Sequence, residues 1–339
     1  VLSSDGAGHA ELGKHERAIR SNGREVVFVS TLFKAWEYFL RFLKWKRERE
    51  EREKTIEKYG RWAAETTLPT RFIALFEHHG VHRNQIPRFF DHGLTVKDVS
   101  SDEALTEKLT EQILQDACDL FAVRREWLDG VSDEIYEVHH FYKYPADFEQ
   151  FIQRLARESD EAGRLWGKAI IPSSKSPRSD ALFFIEERIG YLGNEPIRRF
   201  HLTGTWSYDY WKCRAYLAAC VSIACRNGCH VNGSVVDRKY LKNVTQGLEF
   251  IDPQALRRCG RSWEPEDMAY DPDVFLKDLE LAGYENSKQL GLELWLKLAN
   301  DGWMDGYVPA TIDKFERALS LGAQIPPRKR YWFCLRRTE

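Results

Sequence analysis

The chain has 339 residues, 43% hydrophobic and 13% aromatic with 11 Trp, an ordinary globular composition that argues against global disorder. Its 50 basic and 52 acidic residues leave a formal net charge of −2, so the whole-molecule basic field of a nucleic-acid binder is absent and any basic patch must be local. No run of about 18 apolar residues predicts a membrane-crossing helix, and the seven cysteines, an odd number in a chain too long to need disulfide staples, read as reduced thiols of a cytoplasmic protein.

Residues 1–24 are polar, lack the apolar centre of a secretion signal, and read as a tail. Residues 25–67 read as a long helical arm. Its first half is apolar at helical spacing (Leu32, Phe33, Trp36, Phe39, Leu40, Leu43), and its second half is charged, with Glu48–Arg52 and Glu50–Lys54 pairs. That charged half has no apolar seam, so a solvated arm is favoured over a dimerising coiled coil. Residues 68–130 read as a helical unit. RFIALFEHHG turns Phe72, Leu75 and Phe76 inward and ends at Gly80. GVHRNQIPRFFD and HGLTVKDVSS give two short helices, DEALTEKLTEQILQDACDLFAV a longer one, and REWLDG closes the unit.

An α+β region is expected over 131–251. Residues 135–144 look like a strand, and Pro145 opens a helix. Residues 165–171 form another strand, and 181–192 pairs with 197–206 as a hairpin turning at Gly193-Asn194. Residues 208–227 form a helix closed by Gly228, and 230–236 a last strand. That order suits a small antiparallel sheet with helices on one face. Residues 252–272, rich in proline and charge, read as a linker. Residues 273–339 read as C-terminal helices broken at Gly283, at Asn300-Asp301-Gly302 and at Gly306.

The segment ILQDACDLFAVRREWLDG resembles the last two helices of Cro/repressor-type (Xre-like) DNA-binding domains, which close with a helix, a short turn and a helix ending in Trp-Leu-x-Gly. Ile113, Ala117, Phe121, Val123, Trp127, Leu128 and Gly130 carry the match. The resemblance is confined to residues 68–130. It implies a helix-turn-helix fold and binding of double-stranded DNA, often as a homodimer, and says nothing of residues 131–339.

Two registers of that unit remain open. In one, 82–90 supports and 94–101 reads, offering Thr95, Lys97, Asp98 and Ser100. The acidic Asp98 would repel phosphate. In the other, 71–79 supports and 83–90 reads, offering Arg83, Asn84, Gln85 and Arg88. These types match guanine and adenine edges in the major groove. Pro87 fits that second helix only within its first turn, with Asn84 as its cap.

Other constellations are weaker. Cys213, Cys220, Cys225 and Cys229 lie on or beside one helix, which cannot wrap four ligands around an ion, so they read as core residues and no metal is assigned. His78, His79, His82, His139 and His140 lack the acidic partner of a zinc-hydrolase pattern. Glu186 and Glu187 alternate across a strand, so one should face solvent. No phosphate-cradling glycine loop, nucleophile elbow or catalytic set is identified, and no cofactor is implied. Arg188, Arg198 and Arg199 with Trp206, Tyr208 and Tyr210 could form a basic, aromatic ligand or nucleic-acid surface, against the commoner explanation of packing. The C-terminal RKRYWFCLRR reads as a docked tail.

The sequence reading is therefore an α+β DNA-binding regulatory protein, with a central region that senses a ligand or mediates association. Its rivals are a non-catalytic interaction or scaffold protein built on a degenerate helix-turn-helix, and a nucleic-acid-processing enzyme with its site in 135–250.

Overall fold

The computed structural model describes residues 66–157, 164–173, 180–252, 256, 261–279, 283, 286–304 and 310–322. The expected tail, nearly all of the helical arm and the basic C-terminus lie outside them. The compact unit that holds every described element begins at Thr66.

Local chemistry sets the helical stretch. Helix α1 (Leu68–His78) starts where Thr67 accepts from the Thr70 N–H, with proline in its first turn, and stops at His79 and Gly80, the latter at φ +89°. A 3-10 turn (Arg83–Gln85) leads into α2 (Ile86–Phe89), which is only four residues long. Residues 94–101, expected as a helix, instead form a turn that Asp98 closes by accepting from the N–H and hydroxyl of Thr95, at 2.8 and 2.7 Å. The long helix expected over 102–123 is broken into α3 (Asp102–Thr106) and α4 (Glu111–Phe121), because Thr110 caps a new start by accepting from the Ile113 N–H. Helix α5 (Arg125–Leu128) buries Trp127 and Leu128 and closes the unit.

Helix α6 (Pro145–Arg157) precedes β1 (Leu165–Pro172), β2 (Asp180–Leu192) and β3 (Glu195–Ser207). Helix α7 (Trp211–Arg226) leads to β4 (His230–Val236). Then come α8 (Arg238–Thr245), β5 (Arg261–Trp263), a 3-10 turn (Pro265–Ala269), α9 (Pro272–Leu276), α10 (Ser287–Asn300) and α11 (Ala310–Gly322). The fold is α+β, around a five-stranded sheet ordered β3-β2-β1-β4-β5. The hairpin turns at Gly193-Asn194 as expected, with Leu192 opposite Glu195 and Gly193 at φ +65°.

Two features depart from expectation. The sheet is mixed rather than wholly antiparallel: α7 carries the chain across the sheet, so β4 returns parallel to β1, with Gly167 opposite Val231. Helices also cover both faces. Ala181, Phe183 and Ile185 of β2 face α6, α7 and the C-terminal helices, while Leu182 and Phe184 face α1–α5 and α8. Five consecutive residues of β2 are thus buried, the pattern of a strand enclosed on both sides. The core of the helical unit is continuous with that second face, where Phe72, Phe76 and Phe121 cluster with Ile197, Phe200 and Leu202.

The expected linker is structural. Strand β5 pairs with β4, and a Cβ at Gly233 would collide with the Trp263 carbonyl, so this crossing requires glycine. Met268 and Ala269 are buried, and the Met268 carbonyl accepts from the Trp295 indole at 3.1 Å. Arg214, fully buried, donates to the carbonyls of Tyr208 and Phe275 and lies 3.3 Å from the Tyr208 ring centre, tying α7 to α9. No helix among the described residues is long and apolar enough to cross a membrane.

Candidate functional site

Of the five residues expected to read DNA, Arg83, Asn84 and Gln85 lie on a short turn, and two of these three are engaged there. Arg83 donates through Nε to the Val99 carbonyl and through Nη2 to Asp102 at 2.8 Å. Hydrogen bonds from Arg83 and Thr70 hold the Asp102 carboxyl below its ordinary range. The Gln85 Oε1 accepts from the His82 N–H at 3.0 Å. Asn84 and Arg88 are exposed, as is Lys97 on the neighbouring 94–101 turn. Pro87 lies in the first turn of α2, where its missing N–H costs nothing. Residues 66–130 carry seven Lys and Arg against eleven Asp and Glu, a formal net of −4.

The second predicted set does not form one patch. Arg188 and Arg198 are cross-strand neighbours near the hairpin turn, while Trp206, Tyr208 and Tyr210 lie at and beyond the opposite end of β3. The eight residue steps from Arg198 to Trp206 span about 26 Å of extended chain. Trp206 is a core residue at 1% exposure, and Tyr208 is stacked by Arg214. Arg199 is bonded to Glu187, and Arg198 lies 3.6 Å from Glu186.

Glu187, expected to share a strand-face alternation with Glu186 and singled out for nothing further, is the centre of a charged cluster. It is 0% exposed and accepts from Arg164 Nη2 at 2.7 Å, from Arg199 Nε and Nη2 at 2.6 and 2.9 Å, and pairs with His201 Nε2 at 2.8 Å. Burial alone would raise its pKa. The hydrogen bonds and charges of His201 and Arg199 outweigh that and bring it to about 2. No hydroxyl or thiol among the described residues bonds His201, so the pair has no attached nucleophile.

Next to this cluster opens a groove of about 820 Å³. One wall is the segment 137–141. The other is the outer face of α6, where Asp147, Gln150, Arg154 and Arg157 recur at helical spacing. Phe151 forms its floor and also touches His201, their rings 5.9 Å apart. Burial lowers the pKa of His139, whose ring lies 5.1 Å from Phe151. The expected strand over 135–144 is reduced to isolated bridges, Val123 with Tyr136 and Val138 with Leu202.

The His139 N–H donates to Leu202 at 2.9 Å, which docks this segment on the β3 edge. Gly204, at φ +104°, admits the approach, since its Cβ would stand 3.3 Å from the His139 carbonyl. Backbone groups of successive residues in an extended chain point to opposite edges. Those of Val138 and His140 therefore face away from β3, in the wall of the groove, and neither residue makes a backbone hydrogen bond among the described residues. The polar stripe of α6 was present in PADFEQFIQRLAR, but nothing in the sequence showed what lay opposite it.

Four of the five described cysteines are core residues, and Cys225 is half-buried. Cys118, Cys213, Cys220 and Cys229 are buried, and burial pushes the thiols of Cys118, Cys213 and Cys229 up to about 12. Among the described residues no three His, Cys, Asp or Glu side chains converge as a metal site. A short alkylation pulse at about pH 8, mapped by peptide mass spectrometry, is expected to leave these four unlabelled in native protein and to label them in denaturant. Native labelling at any of the four would contradict their placement in the core. Comparison of the chain with family models, curated proteins and solved structures found no match.

Proposed function

We propose that the chain is a non-catalytic interaction protein that takes an extended polypeptide segment into the groove beside α6, with the helix-turn-helix-like unit serving as a cap on the sheet. The observation that carries this reading is the unbonded backbone of Val138 and His140 facing a helix-walled groove. Strand addition supplies main-chain hydrogen bonds to such an edge, and the helix opposite supplies selectivity. The groove is open and lined by exposed polar side chains, unlike the largely apolar pockets that enclose small molecules. Panning a random-peptide library on the purified full chain is expected to enrich extended peptides that slow amide exchange at 137–141. Binding should be lost in Gln150→Trp, which fills the groove. Absence of enrichment, or protection elsewhere, would reject the reading.

A second reading keeps double-stranded DNA as the partner of the helical unit, favoured by the adjacent exposure of His82, Asn84, Gln85 and Arg88. Against it stand the four-residue α2, the internal bonds of Arg83 and the net negative charge, which disfavours phosphate. Selection from random duplexes at about 0.15 M salt is expected to enrich no sequence. Enrichment that is lost on replacing Asn84 and Arg88 with Ala would put DNA first.

A further inference from the structure

We infer that the groove selects a segment that is acidic at one end, its Asp or Glu side chain pairing with Arg154 and Arg157. This rests on the interaction reading above and names the partner's chemistry.

Arg154 and Arg157 are both exposed, three residues apart on α6, and so project side by side. Arg154 lies over the Phe151 ring at 5.4 Å, and Arg157 donates Nε to the Gln153 carbonyl at 3.2 Å. Among the described residues neither makes an ion pair, whereas Arg124, Arg125, Arg164, Arg198, Arg199 and Arg226 all have carboxylate partners. Beneath them Glu187 is fully engaged by Arg164, Arg199 and His201, so its carboxylate adds no free negative charge to the floor.

The acids of the groove lie elsewhere. Glu137 stands on the rim, 73% exposed and 3.7 Å from His139. Asp147 lies in the first turn of α6, seven residues and about 10 Å along the helix from Arg154. The walls are therefore polarised. A uniformly acidic segment would meet Asp147, and a basic one would meet Arg154 and Arg157. A segment acidic at one end satisfies both, with charge-assisted, bidentate bonds open to it at the arginine end.

The test is fluorescence anisotropy with the full chain and three labelled Val/Thr heptapeptides that differ only near one terminus, in Glu, Gln or Lys. The Glu peptide is expected to bind about tenfold more tightly than the Gln peptide, with Lys weakest. Raising the salt should shrink the Glu preference. R154E/R157E should invert the order so that Lys binds best, and R154Q/R157Q, which keeps side-chain length without charge, should abolish the preference. Equal affinities for the three peptides would overturn the acidic selectivity while leaving the groove as a peptide site. No binding by any of them would overturn the peptide reading as well.

Discussion

Glu187→Gln is expected to lower the unfolding free energy by about 3–5 kcal/mol, the usual cost of breaking a buried ion pair from one side. Arg164, Arg199 and His201 converge on the Glu187 carboxylate, so the change removes the countercharge that it supplies to all three beneath the sheet edge. Their own side chains are 23% and 18% exposed, so solvent can repay only part of the loss. The chemical-denaturation midpoint measures the effect, with an unchanged slope showing that the unfolded state is unaltered. Replacing Glu187, Arg164 and Arg199 together by apolar residues of similar length should recover most of the stability, because the buried carboxylate and the guanidinium groups that face it are removed together. A loss below about 1 kcal/mol in the single variant would place the cluster with ordinary surface pairs. The same cluster weakens in acid. Its folded pKa near 2 lies below the ordinary 4.5, so its contribution is whole above about pH 4.5 and lost as pH falls toward 2.

Acidification from pH 7 to about 4 is expected to cost about 3 kcal/mol through His79 alone. Burial drives its pKa from 6.5 down to about 4; the Leu75 hydrogen bond opposes the shift, and the neighbouring His78 adds to it. Nδ1 donates to the Leu75 carbonyl at 2.7 Å, and the buried Nε2 has no partner among the described residues. The ring is enclosed by Phe121 and Phe200, with centroids at 4.3 and 5.7 Å, so an added proton would find no acceptor. The unfolded chain takes up that proton first. Stability is therefore full above about pH 6.5 and declines as pH falls toward 4. His78 and His139 are lowered in the same direction, so His79→Phe isolates the central contribution by flattening the acid limb of a denaturation-midpoint series. An acid limb unchanged in that variant would remove His79 from the account.

Elements whose signals are local were legible in the sequence. Pro145 opening α6, Gly193-Asn194 turning the hairpin, and Gly228 after α7 lie where their chemistry puts them. Competing local bonds hid others: the Asp98–Thr95 turn displaced a short helix, and the Thr110 cap split a long one. The double coverage of the sheet was written in the run Ala181–Ile185, whose unbroken apolarity is the mark of an enclosed strand; reading it as a hairpin of a sheet covered on one face missed the second layer. The groove was not legible at all. Its walls are residues 137–141 and 147–157, but what makes them a candidate site is an edge left unpaired and two arginines without carboxylate partners among the described residues. Both are properties of arrangement rather than of residue type.

The layering of the sheet also bears on how the chain is made. Residues 68–128 leave the ribosome before β1–β5, yet Phe72, Phe76 and Phe121 find their cover on Ile197, Phe200 and Leu202. At about 5–20 residues per second, the helical segment waits several seconds for that cover to be synthesised. During that interval its aromatic face is a natural substrate for a holding chaperone. A fragment ending near residue 130 should behave in solution as a sticky, incompletely packed chain rather than as a free-standing domain.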